Sequence, residues 1–280
     1  MPKSSPPALE LSLDLLRCPT CGAPGLRPDR GALRCPSHHT FNLARHGYVS
    51  LLSGARTTSG DSADMARARE GFLATGAYAP IRDALVRLAT AGAPARATVV
   101  DVGCGTGYYL AGVLERLPDA RGLGLDTSVR ALRSAARAHQ RALAATWDVF
   151  RPFPLADAVA DVLLDVFSPR NPSEFHRVLR GTGRLVVARP TDRHLAELRG
   201  RVPGMVSVDV AKEQRLHDTL APYFEALGTD HVEYAASLTQ EAATDLVMMT
   251  PSARHVASAD LGTLPELVTI SVLVTAYRPR

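Results

Sequence analysis

The chain has 280 residues, of which 46% are apolar, enough to bury the core of one large α/β domain with a small accessory unit, so a disordered or fibrous protein is excluded. No run of eighteen apolar residues occurs, and MPKSSPP at 1–7 has neither the basic nor the apolar region of an export signal, so a cytoplasmic protein without a membrane span is expected. The net charge is only +4, but Lys3 and Lys212 are the only lysines among the 32 cationic residues; that bias follows from codon usage or from selection of guanidinium groups for phosphate.

The first fifty or so residues are rich in Pro, Gly, Cys and Arg, with short β-like pieces at 32–34 and 41–43, and read as a small metal-stapled unit. Near Asp61 the pattern changes. DSAD at 61–64 offers N-cap oxygens ahead of one helix, and Pro80 opens a second whose apolar residues recur at helical spacing. The expected division is therefore a metal-stapled unit over 1–55, a helical connector over 56–92 and an α/β domain over 93–280.

Strands and helices alternate within the last part. TVVDV (98–102), RGLGLD (121–126), residues 159–167 and residues 184–188 read as strands. Residues 128 to about 143 and 174–180 read as helices, the second ended by GTG at 181–183. Such alternation implies a mainly parallel, doubly wound, Rossmann-like sheet. Further on, 213–227 reads as helix, 231–238 as strand, 239–249 as helix and 267–276 as a long terminal strand.

Two motifs carry chemistry. DVGCGTGYY at 101–109 puts Asp101 at a strand end with glycines at 103, 105 and 107, whereas a dinucleotide fingerprint needs a glycine where Tyr108 stands. The spacing instead resembles the first motif of class I S-adenosylmethionine-dependent methyltransferases, in which the glycines admit the methionine part of the cofactor and the acid meets its ammonium group. In that frame Asp126 suits the ribose hydroxyls and Asp148 the adenine amino group. Cys104, between two of the glycines, has no nearby base and reads as a small filler.

The second motif is Cys18 and Cys21 with Cys35 and either His38 or His39, two ligands from each of two turns, which is the ligand set of a structural zinc site. A redox pair would open a helix, whereas Pro19 and Gly22 belong to a loop.

In order along the chain, these motifs together with HGYVSLL (46–52), GDSADM (60–65), AREGFL (68–73), GAYAP (76–80) and MTP (249–251) are similar to the RlmA family of ribosomal RNA guanine-N1 methyltransferases. FSPRN at 167–171 and the Ala/Arg-rich composition look more like the branch typified by tylosin-resistance enzymes. The resemblance implies S-adenosylmethionine as methyl donor, held by Asp101, Gly103, Gly105, Gly107, Tyr108, Asp126 and Asp148, and a structural Zn2+ on Cys18, Cys21, Cys35 and His39. It implies a 23S rRNA hairpin loop near the peptide exit tunnel as substrate, a role in macrolide resistance, and a homodimer.

For the chemistry, Arg170 and Asn171 at the carboxyl end of the strand over 159–167 are expected to orient the guanine edge, and Asp165 to accept its N1 proton. Arg130, Arg133, Arg137 and Arg141 share one helix face and read as solvated, while Arg17, Arg27, Arg34 and Arg45 are better candidates for phosphate contacts. The alternative is a methyltransferase acting on a small molecule such as an antibiotic precursor, which would not need the zinc unit.

Overall fold

The structure, a computed structural model, describes residues 6–52, 60–205, 218–256, 258 and 261–280. After a short helix α1 (Pro7–Glu10), three short antiparallel strands, β1 (Arg27–Asp29), β2 (Ala32–Arg34) and β3 (Thr40–Asn42), form a ribbon. Helices α2 (Ala63–Ala74) and α3 (Ala79–Thr90) follow, the first capped by the Ser62 side chain accepting from the Met65 amide. The boundary expected at 55–56 lies outside the described residues.

The remaining elements are β4 (Thr98–Val102), α4 (Tyr108–Arg116), β5 (Arg121–Asp126), α5 (Val129–Ala138), β6 (Ala142–Thr146), β7 (Ala160–Val166), α6 (Pro172–Val178), β8 (Leu179–Pro190), α7 (Ala196–Arg201), β9 (Phe224–Ser237), α8 (Gln240–Met248) and β10 (Leu267–Pro279). Seven strands form one sheet in the order β6-β5-β4-β7-β8-β10-β9. From β6 to β8 the pairs are parallel, and β10 runs antiparallel to both β8 and β9. All five residues of β4 are buried, as a strand covered on both faces requires. The chain winds outward in one direction from β4 and in the other from β7, so the crevice at their carboxyl ends is the topological switch point where such sheets bind ligands.

One face of the sheet is covered by α2, α3, α4 and α8 through Phe72, Ile81, Leu85, Val113 and Leu246. On the other face the ribbon joins the core, with Leu33 and Phe41 in the same cluster as Leu123, Leu143 and Phe175. The ribbon is also sewn to the sheet edge: the Val49 amide donates to the Ala144 carbonyl at 2.9 Å, and the Thr146 amide donates back to Val49 at 2.9 Å.

Three boundaries differ from the sequence expectation. The helix expected to reach about residue 143 stops at Ala138, because His139 is extended and 142–146 pair with β5. Arg141 therefore leaves the arginine stripe and donates to the carbonyls of Leu114, Leu117 and Ala120 at the end of α4, where a cation satisfies unpaired acceptors. Of the helix expected over 213–227, residues 213–217 lie outside the described residues and 218–220 are helical, while Phe224, Glu225 and Ala226 open β9 and pair with the end of β10. Finally, 181–183 do not follow a helix end but lie within β8, bulged between the Ala160–Leu179 and Val162–Arg184 pairs.

Candidate metal centre and active site

The four ligand atoms of Cys18, Cys21, Cys35 and His39 lie within 4.8 Å of one another. His39 Nδ1 is 3.6 Å from Cys18 Sγ and 3.3 Å from Cys35 Sγ, and the Cys21 and Cys35 sulfurs are 3.9 Å apart. A tetrahedral zinc with bonds of about 2.3 Å to sulfur and 2.0 Å to nitrogen places its ligands about 3.5–3.8 Å apart, so the cluster fits the ion. His38, the open alternative, has φ +66° and stays outside the cluster. Each cysteine turn is closed by its own backbone: Gly22 donates to the Cys18 carbonyl at 2.8 Å, and Cys35 donates to that of His39 at 2.9 Å.

At the switch point, Asp101 is 1% exposed and neither carboxylate oxygen has a hydrogen-bond partner. Burial pushes its pKa up to about 8, with the negative charges of Asp126 and Asp165 adding to the effect. Asp101 lines a cavity with Arg69, Gly103, Tyr108, Tyr109 and Phe167. A buried carboxylate without partners, on the wall of a cavity, is incomplete without a cation or donor, and an ammonium group fits it.

The glycine turn keeps this cavity narrow. Gly103 has φ +72°, and a Cβ there would lie 2.7 Å from the Ser168 Cβ, so the end of β4 can approach the end of β7 only without a side chain. Gly107 caps α4 at φ +81°, where a Cβ would meet the Ala135 Cα at 3.1 Å. Tyr108 begins α4 beneath the Arg82 guanidinium, 5.0 Å from the ring centre. Cys104 is buried, and its sulfur occupies the space beside Gly124 where a Cβ would lie 2.7 Å away.

Asp126 closes β5 with one oxygen accepting from the Gly105 amide at 2.8 Å and the other from the Ser128 amide at 2.7 Å. The carboxylate is thus fixed in orientation, and each oxygen keeps a further lone pair. Asp148 accepts from the Phe150 amide at 3.0 Å in the turn after β6.

Behind β7 the expected catalytic groups meet one another. Asp165 is fully buried and lies 3.0 Å from Arg170 Nε, close but not aligned for a hydrogen bond. Burial raises its pKa to about 7 against the opposing pull of Arg170. Asn171 donates its side-chain amide to the Val149 carbonyl at 2.9 Å. Asp165, Arg170 and Asn171 are thus brought together near the strand end with internal partners, and none of the three lines the cavity.

Other residues line it instead. Arg69 contributes the cavity's cationic group, and Met249, on the turn after α8, adds to the wall. The Tyr78 hydroxyl lies 3.1 Å from Nε2 of His194, whose Nδ1 accepts from the Ser271 amide at 3.2 Å; burial lowers the His194 pKa to about 4, so the ring is neutral. The segments GDSADM, AREGFL and GAYAP stood out in the sequence without roles for their side chains. No local signal set Arg69 apart, because Asp64, Arg67 and Glu70 charge the same helix.

Comparison with known proteins is consistent with this geometry. A family model described as RlmA, N-terminal, a zinc ribbon, matches residues 16–57, and a methyltransferase domain model matches residues 99–187. A Streptomyces fradiae protein named 23S rRNA (guanine(748)-N(1))-methyltransferase is 45% identical over 94% of this chain and 96% of its own length. A Micromonospora griseorubida protein, provisionally named a 23S rRNA (guanine-N(1)-)-methyltransferase, is also 45% identical, over 94% of this chain and 97% of its own. The MccD protein shares the fold at a TM-score of 0.50 and 14% identity, covering 71% of this chain and 96% of that one. With its zinc ribbon and methyltransferase domain, the chain belongs to the RlmA family of S-adenosylmethionine-dependent 23S rRNA (guanine-N1)-methyltransferases.

Proposed function

We propose that the chain methylates N1 of a guanine in a 23S rRNA hairpin loop near the peptide exit tunnel, the guanine being the one at position 748 for which its Streptomyces fradiae relative is named. The buried, unpartnered Asp101 carboxylate carries the assignment of methyl-donor binding. The substrate rests on identity with that relative along nearly the whole chain.

S-adenosylmethionine, when bound, supplies an electrophilic methyl group. Around it, Asp101 takes the ammonium and Arg69, the cation of the same wall, the carboxylate, so that a zwitterion meets a complementary pair. Gly103, Gly105 and Gly107 admit the methionine part, Tyr108 borders it, Asp126 receives the ribose hydroxyls and Asp148 the adenine amino group. Most of the acceleration then comes from alignment of the acceptor nitrogen with the methyl group.

Guanine N1 carries a proton at neutral pH, and Asp165, with its pKa near 7, is assigned as acceptor. The Arg170 side chain, 18% exposed, lies against that carboxylate, and Asn171 fixes the loop bearing it to Val149. The zinc ribbon selects the hairpin, a homodimer lets one protomer grip RNA while the other methylates it, and the reaction takes place in the cytoplasm. Among the described residues no helix is long and apolar enough to cross a membrane. The biological role in this reading is protection of ribosomes from tylosin-type macrolides.

The direct test is label transfer from methyl-tritiated S-adenosylmethionine to unmodified 23S rRNA, with the modified base mapped by primer-extension arrest. A single stop at guanine 748 is expected; bound cofactor without label in RNA would refute the substrate assignment.

A further inference from the structure

At the carboxyl end of β7 one side chain is exposed where the core ought to close. Phe167 is 38% exposed and lines the same cavity as Asp101. Its backbone has φ +53°, a left-handed conformation that a bulky aromatic residue adopts only under constraint. The constraint is visible in the structure. The Phe167 amide donates to the Ala188 carbonyl at 3.1 Å, and the ring is backed by His194, nearly parallel at 20° with centroids 6.2 Å apart, and by Tyr78 at 6.2 Å. His194 is itself buried and held from both ring nitrogens.

An apolar ring held in a costly conformation, rigidly backed and open to solvent at a cavity mouth, gains nothing for the fold; hydrophobic burial would turn it inward. A planar partner must complete it. The acceptor in this reaction is a purine, which has to leave its loop and present N1 to the crevice between β4 and β7. Arg170 and Asn171 are committed to Asp165 and Val149, whereas Phe167, which lines the cavity itself, stays open to a base.

We infer that Phe167 is the platform on which the target guanine stacks, a substrate-positioning residue backed by His194. The inference rests on the guanine-N1 reading above. The methionine side of the cavity is walled by Asp101, Arg69 and the glycine turn, whereas Phe167 enters from the β7 side, next to Ser168, which closes on Gly103. Stacking of a base on an aromatic ring has no sequence preference, so Phe167 would position the base while other contacts choose it.

The test compares Phe167→Ala, Phe167→Leu, Phe167→Tyr and Phe167→Trp. Each is assayed for kcat/KM on the isolated 23S rRNA hairpin and, by calorimetry, for affinity toward S-adenosylhomocysteine. A hairpin with 2-aminopurine at the target position reports stacking by fluorescence quenching on the protein saturated with S-adenosylhomocysteine. Alanine and leucine are expected to lose about 10- to 100-fold in kcat/KM and to abolish the quench, with tyrosine and tryptophan within about threefold of wild type and cofactor affinity nearly constant throughout. Leucine at the wild-type rate would overturn the inference, since apolar bulk alone would then suffice. A fall in S-adenosylhomocysteine affinity that parallels the fall in activity would also overturn it, by giving Phe167 to the cofactor. If wild type itself binds cofactor but leaves the hairpin unmethylated, the guanine reading fails instead.

Discussion

Arg69 on α2 grips Asp61 through both Nε and Nη2, each 2.9 Å from Oδ2, while Nη2 also donates to the Met249 carbonyl at 2.8 Å. One guanidinium on the wall of the cavity that Asp101 lines thus ties the entry to the connector helices to the turn after α8. Nη1 takes part in none of these contacts and is the donor assigned to the carboxylate in the reading above.

If Arg69 holds the cofactor's carboxylate, wild type should prefer S-adenosylmethionine over decarboxylated S-adenosylmethionine by roughly tenfold or more, and Arg69→Gln should bind the two alike. Calorimetry with both compounds on both proteins completes the cycle. A preference that survives the substitution would assign the carboxylate elsewhere.

Asp101 should make cofactor binding depend on pH. Its pKa of about 8 exceeds the usual carboxylate value, so the empty folded protein keeps a proton there that the unfolded chain has lost. The stability of the empty protein should therefore fall as pH rises from about 4 to 8, with Asp165 contributing up to about 7, and level off above. An ammonium on Asp101 favours the ionised form, so binding at pH 6.5 should release a proton, seen as an enthalpy that varies with the ionisation heat of the buffer. Asp101→Asn should bind at least about tenfold more weakly and without that release; unchanged release in the variant would rule out Asp101 as its source.

For Asp165 the expected signature is kinetic. A base with pKa near 7 gives a methylation rate that rises with pH through neutrality and then levels off, and Asp165→Asn should lower kcat about 100-fold and remove that rise, with cofactor affinity retained. Should the variant keep the wild-type profile, the proton leaves by another route.

Metal loss should separate the two halves of the activity. Cys18→Ser/Cys21→Ser protein, verified free of zinc, should still bind S-adenosylhomocysteine within a few-fold of wild type yet lose methylation of 23S rRNA. Full RNA activity in metal-free protein would deny the ribbon any part in substrate choice.

Which parts of this were legible in the sequence follows from where the information resides. TVVDV with its glycines announced a buried strand and a close turn because both are local demands of backbone and burial, and the cysteine spacing did the same for the metal. His39 could be separated from His38 only by resemblance or by coordinates, since spacing admits both. The first residues of the strand before Asp148 were read as helix because ALAAT has helical propensity and becomes a strand only through its pairing with β5. Residues 224–226 likewise take their conformation from β10. Phe167 was quoted as part of a motif, but neither its left-handed backbone nor its backing by His194 can be read from adjacent letters, because His194 is brought to it by the connection between β8 and α7.

The stitch between Val49 and β6 has a consequence for the protein outside any reaction. Left bare, β6 would offer an outer row of unpaired amides and carbonyls along an apolar alanine-rich strand, the template on which sheets of separate molecules join. The segment that covers it comes directly from the cysteine-bearing ribbon, so an ion that shapes the ribbon would also keep neighbouring molecules from adding to the sheet. Zinc starvation in this protein would then show itself first as clouding of the solution.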